Sequence, residues 1–260
     1  EPLETRIAPA TLVNPTTLTY TDIDGDRVTV KISSGAFIFS NPPSGTGFTD
    51  TFVLTDPNAD GGQQLQLIDL RNGSGFHNAN LTVSVVKAGS GDGLAAVGLI
   101  FAPGIDLANV SIKGDPGEID CGDSDTSTPG LGLLSVRSMG RYGEITDLLI
   151  PGLQSDIEGA LGALQVTADI KDASIVVTAD INADATIGRI TIGGSLIGGP
   201  ADNSGSILAG GAIGPVKIRR DLIDGAGFSS GQIISEGGQI GAISIGGSII
   251  GGPGVNSGLL

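Results

Sequence analysis

The residues whose types and spacing could do chemistry are carboxylates gathered in short turns. Asp22-Ile23-Asp24-Gly25-Asp26 sets three of them at alternate positions around a glycine. Asp56-Pro57-Asn58-Ala59-Asp60-Gly61 repeats that spacing with an amide at its centre. Hard cations such as calcium take oxygen ligands in this pattern, and glycine supplies the sharp bend of the loop. Asp22, Asp24, Asp26, Asp56, Asn58 and Asp60 are therefore the candidate metal ligands, and calcium is the cofactor they suggest. Neither stretch carries the acid that closes such a loop at its twelfth position: counted from Asp56 that place is Leu67, with Asp69 beyond it. The competing reading is an Asx-rich turn, in which the carboxylates cap backbone N–H groups. Asp120, Asp123 and Asp125 form a third acidic turn, read as a cap.

Other reactive side chains are sparse. His77 is the single histidine, between Phe76 and Asn78 on an expected loop, and no Gly-x-Ser-x-Gly elbow is present. Cys121 is the single cysteine, which excludes an internal disulfide and a thiolate metal site. It lies among carboxylates, the wrong surroundings for a reactive thiol, and reads as a small strand residue. Lys217, Arg219, Arg220, Asp221 and Asp224 make a charged cluster, read as a solvated corner. No catalytic residue is assigned, and the chain is expected not to be an enzyme.

These groups sit on a scaffold of unusual composition. Glycine contributes 44 of 260 residues, aromatics only 3%, and tryptophan is absent. Thirteen Lys and Arg against 28 Asp and Glu leave a net charge of -15, which excludes a nucleic-acid partner, because phosphate neutralisation needs basic surface. No apolar run is long enough for a membrane helix. At 39% hydrophobic residues the chain can build a core, and no Gly-X-Y period makes it collagen-like. The chain does not open on Met and shows no signal peptide, so it is expected to be a mature or trimmed product.

An internal repeat specifies the scaffold. Ile187-Gly188-Arg189-Ile190-Thr191-Ile192 returns as Ile213-Gly214-Pro215-Val216-Lys217-Ile218 and as Ile240-Gly241-Ala242-Ile243-Ser244-Ile245. Two further landmarks keep register. They are Ser195-Leu196-Ile197, Asp221-Leu222-Ile223 and Ser248-Ile249-Ile250, then Asn203-Ser204-Gly205, Ser229-Ser230-Gly231 and Asn256-Ser257-Gly258. Weaker copies begin at Leu161, Leu131 and Leu107, giving spacings of 24, 30, 26, 26 and 27, with the longest unit carrying an insertion near Arg141–Asp147.

In each unit the outer residues of the strand triplet are aliphatic, from Val110/Ile112 to Ile243/Ile245, and the middle residue is polar, from Ser111 to Ser244. That is the period of a half-buried strand, and the Gly-Gly pairs forbid a helix. One such unit cannot bury its apolar face alone, so units must stack. The expected fold is all-β: a right-handed parallel β-helix, or solenoid, of about 26 residues per coil over 107–260. Glycine is expected at corners that need positive φ. Residues 1–106 lack the motif and alternate over longer strands. They are expected to form a β-rich segment, possibly antiparallel, that caps the first coil, or else to contribute irregular first coils; the sequence leaves both open.

Two stretches carry a resemblance. Glu1-Pro2-Leu3-Glu4-Thr5-Arg6-Ile7-Ala8-Pro9-Ala10 resembles the Leu-Glu-Pro-Arg-type N-terminal signature of large exported proteins of planctomycetes and verrucomicrobia. The glycine-rich coils resemble the adhesin-like β-strand repeats of the same bacteria. The resemblance implies an extracellular or cell-surface protein, usually longer than this chain. With the repeat, it leads to the expectation of a non-enzymatic stalk, or a filament or sheath building block, that self-associates head to tail. The alternative is a carbohydrate-active or glycan-binding β-helix, with surface glycans as partners.

Overall fold

The computed structural model describes residues 10–39, 50–56, 61–140, 153–181 and 184–256. The signature at Glu1–Pro9 and the expected insertion at Arg141–Asp147 lie outside them. Among the described residues there is no α-helix, and no helix is long and apolar enough to cross a membrane.

Three sheets run along the molecule. In the first, strands Ala79–Val86, Leu107–Ile112, Leu131–Val136, Leu161–Val166, Ile190–Ile192, Val216–Ile218 and Ile243–Ile245 pair in parallel, each with the next. In the second, Gln64–Asp69, Ala95–Pro103, Gly114–Gly122, Gln154–Glu158, Ser174–Thr178, Ile207–Ala209 and Ile233–Ser235 do the same. The third stacks the pairs Met139–Gly140, Ile170–Lys171, Leu196–Ile197, Leu222–Ile223 and Ile249–Ile250. The residues aligned by the repeat are hydrogen-bonded neighbours. Ile190 pairs with Val216 and Val216 with Ile243, while Leu196 pairs with Leu222 and Leu222 with Ile249.

Register turns the strand period into columns. Val110, Leu134, Leu164, Ile190 and Val216 form one buried row, and Ile112, Val136, Val166, Ile192 and Ile218 another. Ser111, Gln165 and Lys217, between them, face solvent. The third sheet adds Met139, Ile170, Leu196 and Leu222. On the second, Ala102, Cys121, Ile157, Val177 and Ala209 make a further row. Cys121 is thus a small core residue whose thiol is pushed far up by burial and by the charges of Asp120 and Asp106.

The N-terminal segment is antiparallel where it is peripheral and parallel where it meets the stack. Thr11–Asn14, Thr17–Thr21 and Arg27–Ile32 form a meander that continues antiparallel onto Ala79–Val86. Phe52–Thr55 likewise lies antiparallel on Gln64–Asp69. Those two receiving strands are already parallel to their next neighbours, so the change of pairing falls at 64–86 and not at 106/107. Phe37, Phe52 and Phe76 fill this wider end, with the Phe37 and Phe52 rings edge to face at 4.7 Å. Among the described residues beyond it, no aromatic ring is buried in the core.

Glycine has two distinct jobs. At Asn203, Ser229 and Asn256, and at the nearby Gly205 and Gly231, φ lies between 53° and 60°, the expected tolerance of left-handed backbone at a corner. The glycines of the opening motif are different. A Cβ on Gly162, Gly188 or Gly214 would stand 2.3, 2.2 or 1.8 Å from the carbonyl oxygen of the motif residue one turn earlier. They are required by close approach of successive turns, not by positive φ. Replacement of Gly188 by Ala should therefore cost about 3 kcal/mol. Gly251→Ala, where nothing lies within 4 Å, should cost almost nothing. Ile190→Asp, which drives a charge into the dry row, should exceed about 4 kcal/mol. Urea melts of the three variants check this; equal midpoints for Gly188→Ala and Gly251→Ala would refute the close-approach account.

Candidate functional site

The first acidic stretch is the turn joining Thr17–Thr21 to Arg27–Ile32. Gly25, at φ 96°, makes the bend. The Asp22 carbonyl accepts from the Gly25 N–H, and the Asp22 carboxylate accepts from the Asp26 N–H at 2.7 Å. This is the Asx-turn reading, and it coexists with a real cluster: one carboxylate oxygen from each of Asp22, Asp24 and Asp26 lies within 4.8 Å of the others.

The three acids do different work. Asp26 is fully buried and staples the turn to the segment before Ala95–Pro103. Its Oδ1 accepts the Ala88 N–H at 2.6 Å and its Oδ2 the Gly93 N–H. A Cβ on Gly91 would lie 2.0 Å from Asp26 Oδ1, so glycine there makes room for the staple. Asp24 Oδ2 accepts the Asp92 N–H at 2.8 Å. Burial pushes the Asp22 carboxyl up to about 8, helped by Asp24, with which it shares a hydrogen bond. Burial works against Asp24 too, but the hydrogen bonds from Asp22 and Asp92 hold it below the usual carboxylate range.

Asp22 and Asp24 open onto a cleft whose other walls include Gln64, Asp92, Leu94 and Asp115. Asp115 accepts from the Ser138 hydroxyl and lies 3.4 Å from Arg137 Nη1. Gln64, Asp92 and Asp115 were not among the residues singled out from sequence. They are remote from Asp22 along the chain, and only strand register brings them together. Of the second expected loop, Asp56 accepts the Gly61 N–H at 2.9 Å, and Asn58 and Asp60 lie outside the described residues.

A second acidic surface runs across the outer face of the second sheet, lined by Phe101, Asp120, Asp156, Glu158 and Asp180. Asp120 stands beside Phe101 in register and accepts the Asp156 N–H at 3.1 Å. It belongs to the strand Gly114–Gly122, so the turn expected from Asp120, Asp123 and Asp125 reduces to its last two members. These cap in series: Asp123 accepts the Asp125 N–H and Asp125 the Ser127 N–H. The Phe101 ring is covered by Arg71, whose guanidinium carbon is 4.3 Å from the ring centroid and which is held bidentately by Asp69. The outer face of that ring is therefore not a free stacking platform.

The remaining candidates are caps or exposed groups. His77 is exposed in the turn before Ala79. Asp221 accepts the Ser248 N–H one turn on, as Asp169 accepts that of Ser195. Asp224 takes the Ser230 hydroxyl and the Gly252 N–H. Arg219 and Arg220 are exposed, and their N–H groups bond to Ile192 and Gly194 in the preceding turn.

The chain matches no protein-family model, and no curated protein or solved structure is significantly similar to it.

Burial, with the charge of Asp156 adding to it, pushes the half-buried Asp120 up to about 6, against an ordinary 3.8. The folded chain thus holds a proton there that the unfolded chain has released between those values. The stability this proton contributes is full below about pH 4, falls as pH rises, and is gone above about pH 6. Solvent screening reduces the effect to about 1–2 kcal/mol. Asp120→Asn, permanently neutral, should match the parent at pH 4 and exceed its stability by that amount at pH 7. Urea titrations at the two pH values test this; a constant difference would contradict it.

Proposed function

We propose that this chain is a non-enzymatic structural element, a stiff β-solenoid that serves as an extracellular or cell-surface stalk, or as a unit of a filament or sheath. The observation that carries the reading is where the chemistry of the chain is placed. Its apolar residues form long buried rows through parallel sheets, and many of its carboxylates cap backbone N–H groups at the corners. A repeat spacing near 26 residues and the near-universal hand of parallel crossovers support a right-handed coil of that length. The resemblance of the glycine-rich repeats to adhesin-like exported proteins supports the surface location. Self-association is supported by the repeat itself, since coils of one pattern present complementary strand edges to like coils.

A glycan-directed reading is favoured by one feature, the line of Asp120, Asp156 and Glu158 on the second sheet. Inspection of the outward positions of the first sheet alone does not reveal it. A carboxyl pushed up to about 6 beside two further carboxyl groups suits general acid chemistry. Against it stand the covered face of Phe101 and the absence of paired basic groups among the lining residues.

Two measurements separate these. Single-molecule extension between the chain ends should give a stiff rod that yields stepwise, coil by coil, at high force, and sedimentation should show concentration-dependent association. Incubation with a panel of acidic and neutral polysaccharides should release no new reducing ends. Turnover that disappears in Asp120→Asn would replace the structural reading with the enzymatic one.

A further inference from the structure

The Asp22/Asp24 cleft contains a group that the capping account does not use. Gln64 is 2% exposed, and neither its Nε2 nor its Oε1 has a hydrogen-bond partner. Leaving one buried amide dipole unsatisfied is costly, and here both ends are unsatisfied. Position explains which way the side chain points. Leu65 is an inward residue paired with the inward Val97, so Gln64, one residue earlier, projects to the outer face beside Ala96. Ala96 is in turn paired with Asp115. The small Ala96 side chain leaves the space between Gln64 and Asp115 open, and Asp22, Asp24 and Asp92 complete the walls.

We propose that this cleft is a divalent-cation site, with calcium as the fitting ion, coordinated by Asp22, Asp24, Asp92 and the Gln64 side-chain carbonyl. The donor set is all oxygen, of mixed carboxylate and amide type, which suits a hard cation. Arg137 partly compensates Asp115, so that residue forms the far wall and not a first ligand. Asp26 is not a ligand: it is fully buried and does not line the cleft, and its oxygens are held by the N–H groups of Ala88 and Gly93, whereas Asp22 and Asp24 face the cleft. The proposed set differs from the one expected from sequence, which included Asp26 and did not include Gln64 or Asp92. Calcium takes about six to eight oxygens, so water completes the shell, and the affinity belongs to the weak range of extracellular modules, with a Kd of about 0.1–1 mM. The ligands come from both parts of the molecule. Asp22 and Asp24 sit on a turn of the antiparallel meander, while Gln64 and Asp92 belong to the start of the parallel stack. A bound ion would therefore clip one to the other. The inference does not depend on the structural role proposed above.

The test uses the full chain, stripped with a chelator and titrated with calcium chloride up to about 10 mM, by calorimetry and by thermal melting. One saturable event with a Kd in the stated range is expected, with a melting shift of about 3 °C at tenfold excess over it. Gln64→Leu should melt no lower than the parent without calcium, because it removes an unsatisfied amide, and should lose the calcium shift. Asp24→Asn, at an exposed position, should also lose it and keeps the test open if Gln64→Leu fails to fold. Absence of saturable binding, an equal shift with magnesium, or a full shift retained in either variant would overturn the proposal.

Discussion

The structure depends on one constraint: each turn of chain must lie directly on the one before, at hydrogen-bonding distance, with its side chains in register. Parallel pairing in three sheets enforces this. Once it holds, the identity of every inward residue is tied to those above and below it. An aliphatic row from Val110 to Val216 excludes water along its length, so each residue is worth more in the row than alone. The same constraint brings corner backbones so close that a methyl group cannot enter between Gly188 and Gly162. The abundance of glycine and the poverty of aromatics follow from this one geometry.

The strong negative charge has a matching origin. A solenoid corner leaves N–H groups that no strand partner reaches, and a short carboxylate can span the gap to the next turn. Asp169 to Ser195, Asp221 to Ser248 and Asp202 to Phe228 are three such bonds, each between residues about one repeat apart. An Asp turned to this use looks, in sequence, much like a metal ligand: it sits in a turn beside glycine and serine. The discriminating fact is whether the carboxylate still faces open space. Asp26 does not: it is fully buried, with an N–H group on each oxygen.

This explains what was legible in the sequence and what was not. The first and third sheets were readable because their strands carry the repeated motif at nearly constant spacing. The second sheet was not, since Gly114–Gly122 and Gln154–Glu158 share no motif and are separated by the longest unit. The neighbouring of Asp120 and Asp156 was therefore hidden. The start of the parallel stack could not be fixed from the sequence for another reason. The alternation of Asn80-Leu81-Thr82-Val83-Ser84-Val85 has a period of two whether its neighbours run with it or against it, and Ala79–Val86 has one neighbour of each kind. Composition separates the two ends better than periodicity does, because Phe37, Phe52 and Phe76 mark the wider section.

Two buried polar residues on the second sheet, one on its inner and one on its outer face, show how the fold distinguishes a cap from a site. Ser155 lies fully buried in a row that otherwise runs through Ile119, Ile175 and Ile207, a place where a hydroxyl should be costly. Its Oγ accepts the Ile119 N–H at 3.0 Å, supplying a bond at a point where the backbone ladder between Gly114–Gly122 and Gln154–Glu158 has not yet closed. The serine is explained by what it does inside the protein. Gln64 occupies a comparably buried position on the first strand of the same sheet and finds nothing inside the protein to bond. Its neighbours across the cleft are carboxylates, to which an amide could donate, yet its nitrogen does not reach them. Where Ser155 is explained by a bond to its own backbone, both polar atoms of Gln64 are left without one, and that contrast is what the cation proposal rests on.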